Sequence, residues 1–121
     1  MTAIATPLIM LARVSWVLQL ALGSILWTGR ATGLVPLHIL VGLVFVLALW
    51  VLAVAGLQGG AGKTTSVAAL AWGLIVLLFG LAQVRILVGT PHPIVQILHL
   101  LVGIAAIAVA EDVARGLRRA A

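Results

Sequence analysis

From Pro36 to Leu57 the chain runs through twenty-two residues with a single ionisable side chain, His38. As a helix, such a run can cross the ~30 Å hydrocarbon layer of a bilayer, which takes roughly 20 apolar residues. Three further runs of the same kind lie at about residues 8–27, 67–87 and 93–110. Lipid offers no water to backbone N–H and C=O groups, so each run must close its own hydrogen bonds as a helix. The 121 residues are 64% hydrophobic and 7% charged, too few polar groups to cover a soluble domain. The expectation is one all-α domain over residues 1–121, an integral membrane four-helix bundle. The first run has Arg13 as its early charge and no Ala-x-Ala site after Trp27. It therefore reads as a retained transmembrane helix and not as a signal peptide.

The links between runs are short, which makes sequential helices antiparallel neighbours and sets the second and fourth parallel. Arg13, Lys63, Arg115, Arg118 and Arg119 fall on the side of both termini and the middle link, against Arg30 and Arg85 on the other. By the excess of positive charge on cytoplasmic loops, both termini belong in the cytoplasm. Arg13 is placed to snorkel to the headgroups, and Glu111 to Arg119 to continue the fourth helix as an amphipathic cytoplasmic tail. The middle link, Gln58-Gly59-Gly60-Ala61-Gly62-Lys63-Thr64-Thr65, superficially matches a phosphate-binding loop. That motif needs a preceding strand and a glycine where Leu57 stands, so the link reads as a flexible turn and no nucleotide is expected. The net charge of +5 comes without basic patches interleaved with aromatics, so no nucleic acid is expected either. The absence of cysteine excludes disulfides, thiolate metal sites and c-type haem attachment.

One short pattern occurs twice: Leu37-His38-Ile39-Leu40-Val41-Gly42 and Leu98-His99-Leu100-Leu101-Val102-Gly103. Ionisable side chains inside a membrane helix are costly and mark function by default. Two imidazoles on parallel helices can hold the iron of a haem from both sides. A glycine four residues on lies on the same helix face, so Gly42 and Gly103 would let a flat macrocycle approach the backbone. The metal ligands expected are His38 and His99, and the cofactor haem b. Two nitrogens alone are too few for a bare ion, which wants three or four ligands. With the fourth helix ending at Ala110, His99 stands shallower in the bilayer than His38. Arg30 and Arg85 lie on the outer side, where guanidinium groups can pair with haem carboxylates. His92 is assigned to the loop before the fourth helix; were it helical, it would share a stripe with Gln96, His99 and Gly103 and offer an alternative contact. Trp16, Trp27, Trp50 and Trp72 divide between interface anchoring and bundle packing.

The segment Gln83-Val84-Arg85-Ile86-Leu87-Val88-Gly89, then a proline-containing turn and Ile97-Leu98-His99-Leu100-Leu101, resembles the third and fourth helices of a heme A synthase half-domain. The resemblance implies haem-ligating histidines on the second and fourth helices, the positions of His38 and His99. This chain has one four-helix half where that family has two, and it lacks both the acidic residue near the second-helix histidine and the outer-loop cysteines. Haem binding is thus implied, and the oxidative enzyme chemistry on the haem is not.

The resulting expectation is a membrane b-type haem protein for electron transfer or haem handling in a prokaryotic cytoplasmic membrane. Its partners would be the lipid bilayer and either a second copy or a larger membrane complex. The rival readings are a (bacterio)chlorophyll-binding protein, a structural accessory subunit and a small multidrug-type transporter. The last lacks an intramembrane carboxylate in its first three helices.

Overall fold

The computed structural model describes residues 2–121, and its regular structure there is entirely helical. Four helices are long and apolar enough to cross a membrane. They are α1 (Thr2–Trp27), α2 (Val35–Gly59), α3 (Lys63–Ala82) and α4 (His92–Ala120). Each packs on its neighbour in sequence, α4 closes the bundle against α1, and α2 also touches α4 across the centre.

Local chemistry explains the boundaries. Pro36 sits in the first turn of α2, where its missing N–H leaves no intrahelical bond unmade. Gly60 takes a left-handed conformation (φ 79°), and its N–H and that of Ala61 both return to the Gly56 carbonyl. This is a Schellman-type helix end, so the glycine-rich link is a helix cap preceded by a helix. α3 stops at Ala82, five residues short of the expected Leu87. A 3₁₀ turn over Gln83–Arg85 follows, then positive φ at Leu87 (47°) and Gly89 (96°), which no helix accommodates.

The expected loop position of His92 is corrected: it is the first residue of α4, held with its Nδ1 3.2 Å from the Ile86 carbonyl. The expected helical continuation of the fourth apolar run over Glu111 to Arg119 is present: α4 runs to Ala120, with Val113, Ala114 and Leu117 buried in the core. Both of its carboxylates are paired. Arg13 donates to both carboxylate oxygens of Glu111, Nε to Oε1 at 2.5 Å and Nη2 to Oε2 at 3.0 Å, and Arg115 bonds Asp112. Arg13 thus ties α1 to α4 in the bidentate geometry guanidinium favours, in place of a free reach to the headgroups.

The core lies at the end holding the termini and the α2–α3 turn. Leu49 and Leu52 on α2 are fully enclosed there by alanines of all four helices, small residues that let backbones come close. Three tryptophans lace the helices together. Trp16 Nε1 donates to the Gly103 carbonyl (2.9 Å), Trp72 Nε1 to that of Val102 (3.0 Å), and Trp50 Nε1 to that of Leu70 (3.1 Å). Trp27, at the end of α1, is exposed.

Candidate functional site

The two histidines meet. Their ring centroids are 6.3 Å apart with an interplanar angle of 61°. From His38 to Gly59 and from His99 to Ala120 are both 21 residues (38 to 59, 99 to 120), so the rings stand level once α4 has its full length. The depth mismatch expected from the sequence disappears with the longer helix.

Each ring rests on a glycine of the preceding helix. A Cβ on Gly23 of α1 would lie 3.5 Å from His38 Cε1, and one on Gly80 of α3 would lie 3.3 Å from His99 Cε1. On the His99 side the neighbouring Phe79 ring adds a second wall, its centroid 5.9 Å away. Between the rings opens a cleft lined by His38, His99, Gln19, Gln83, Gly42 and Gly80 together with aliphatic side chains of α2 and α3.

Among the described residues, four buried side-chain polar atoms lack a hydrogen-bond partner, and three of them belong to residues lining this cleft: His38 Nδ1, His99 Nδ1 and Gln19 Oε1. Leaving such an atom unpaired costs roughly 1–3 kcal/mol. Three in one place is the pattern of a site awaiting a partner.

The two rings could hold one metal ion between them. With a metal–nitrogen bond of about 2.0 Å, imidazoles on opposite sides of one ion have ring centres roughly 6 Å apart. The 61° angle is compatible, since each ring can take any rotation about the shared axis. Among the described residues no group of three or more His, Cys, Asp or Glu could hold a metal ion. A macrocycle that brings four nitrogens of its own suits two histidines better than a bare ion does. The space is narrower than the donors suggest. The cavity measures about 60 Å³, room for a few waters against the roughly 300–1,000 Å³ of a pocket enclosing a cofactor. A macrocycle enters only if lining side chains move aside.

The remaining expected site residues divide. Gly42 lines the cleft, but its bare face is taken by the Gln19 amide, whose Nε2 a Cβ there would strike. Gly103 is not among the lining residues, and a Cβ on it would meet nothing within 4 Å. Arg30 and Arg85 are exposed near the same end of the bundle. His92 stands two turns outward from His99, about 10 Å along the helix. Gln19 and Gln83, polar side chains within apolar runs and functional candidates on that ground, line the cleft. Gly23, Gly80 and Phe79 carry no such signal in the sequence. No family model, curated protein or solved structure matches this chain.

Proposed function

We propose that the chain spans a membrane four times and binds one haem b between His38 and His99, as a b-type cytochrome. The observation that carries this reading is the 6.3 Å separation of two histidine rings that line one cleft. Haem, when bound, supplies one-electron chemistry at iron. His38 and His99 would together hold it, and a haem held by two protein side chains would favour electron transfer or haem handling over oxygen chemistry. The protein's own part is to present two neutral imidazoles, exclude water with aliphatic and aromatic walls, and open the cleft by moving its lining side chains. Arg30 and Arg85, exposed on the histidine side, are the candidate partners for haem carboxylates.

In this reading both termini face the cytoplasm, because Arg13, Lys63, Arg115, Arg118 and Arg119 outnumber Arg30 and Arg85. The histidine pair then lies toward the outer face of a prokaryotic cytoplasmic membrane. A second copy or a larger membrane complex serves as partner, and the layout corresponds to half of a heme A synthase without its oxidative activity.

The test is an oxidised-minus-reduced optical spectrum of detergent-purified protein with haem present during expression. A Soret band that disappears in both His38→Ala and His99→Ala supports the reading; a colourless wild type overturns it. A second reading, a chlorin held by one histidine, is favoured by the unequal walls around the rings. A chlorin spectrum surviving one of the two substitutions would establish it.

A further inference from the structure

The two histidines are alike in sequence but not in surroundings. α1 and α2 pair in antiparallel register, so that Gly23 faces His38 and, one turn deeper, Gln19 faces Gly42. Each polar side chain thus lies over a glycine of the other helix, and the two are stacked on successive turns of one interface. In the α3–α4 hairpin Gly80 faces His99 in the same way, and the corresponding positions one turn deeper are Val76 and Gly103. There no amide is present, and the space over Gly103 is open. The Gln19 amide oxygen and His38 Nδ1 are both buried and both unpaired, and they border a cavity with room for a bridging water. One is an acceptor; the other becomes a donor in the Nδ1–H tautomer.

We propose that Gln19 is the positioning residue of His38: its amide oxygen accepts the Nδ1–H of that ring through one bridging water, and so fixes which nitrogen is free to bind. This rests on the haem reading for its consequence but not for its existence. A hydrogen-bond acceptor behind a ligating imidazole fixes the tautomer and makes the ring a stronger base. His38 would then hold a bound haem more firmly than His99, which has the Phe79 ring beside it. A stronger basic ligand favours ferric iron, so Gln19 lowers the reduction potential of the bound group.

Two measurements test this on the full-length protein. In histidine-¹⁵N-labelled apoprotein, wild-type His38 should show a single Nδ1–H tautomer, and Gln19→Leu, close in volume, should give a mixture while leaving His99 unchanged. In haem-loaded protein, Gln19→Leu should keep the Soret band and raise the reduction potential. Gln19→Glu, which retains an acceptor, should restore the single tautomer and lower the potential to or below that of the wild type. Unchanged His38 nitrogen resonances in Gln19→Leu overturn the proposal, as does a loaded variant with the wild-type potential. Should the wild type take up no haem while Gln19→Leu still mixes the His38 tautomers, the haem reading falls and the hydrogen bond stands.

Discussion

The two ends of the bundle are built on opposite terms. At the end of the termini and the α2–α3 turn, Leu49, Leu52, Val113 and Leu117 are enclosed by alanines, and both carboxylates are paired with arginines, one across helices and one along α4. At the other end Val95 is the large side chain that is fully buried, and three unpaired polar atoms border a cleft. If the bundle sits in lipid, as proposed, apolar surface gains little by leaving one hydrocarbon for another, and close packing is what holds its helices together. The tight end therefore supplies the stability, and the loose end carries polar groups whose cost that stability offsets. Places that break local rules without a structural return are where function is expected.

The largest expected effect separates the ends by kind. His38→Leu and His99→Leu should each abolish pigment binding, read from the Soret absorbance. The unfolding midpoint of His99→Leu in detergent should hold or rise, because it removes an unpaired buried polar atom costing roughly 1–3 kcal/mol. A fall in stability without loss of pigment would make the histidines structural. Leu49→Ala at the tight end should do the reverse. It should cost about 2 kcal/mol, the low end for a buried leucine because lipid stands where water would, and leave the spectrum of the folded fraction unchanged.

Much of this contrast is legible in the sequence. Long apolar runs specify the four helices, and two histidines inside such runs must meet a polar partner or each other. The helical continuation over Glu111 to Arg119 is legible too, but the apolar run alone, ending at Ala110, places His99 too shallow. In the structure α4 runs its full length to Ala120, which brings His99 level with His38. The glycines under the rings are a different matter. Gly23 and Gly80 belong to the site only because the helix hairpins pair in one particular register, and that is decided by tertiary packing and not by any local signal. The same register gives the face of Gly42 to Gln19.

A smaller effect tests the register within the loose end. A Cβ on Gly80 would press His99 at 3.3 Å, tighter than ordinary contact, whereas on Gly23 it would meet His38 at an ordinary 3.5 Å. Gly80→Ala should therefore weaken haem binding severalfold in titrations of the apoprotein, and Gly23→Ala should leave it nearly unchanged. Equal effects would mean that the rings are free to shift, and the unequal walls would lose their meaning.

The smallest effect returns to the tight end, where one polar atom breaks the pattern. Ser66 on α3 is fully buried, and its hydroxyl has no partner. It sits so close to α2 that a Cβ on Gly56 would come within 2.5 Å of it. The close approach of the helices accounts for the small residue, but nothing nearby uses the oxygen. Ser66→Ala should keep the spacing and raise stability by about 1 kcal/mol, the low end of the cost of an unpaired hydroxyl, measured as a shift in the denaturation midpoint. The three orphaned atoms at the histidine end belong to residues that line one cleft, and Ser66 does not line it. A gain on removing its hydroxyl, together with pigment loss on removing either imidazole, would show that the same unpaired chemistry serves function at one end and is merely tolerated at the other.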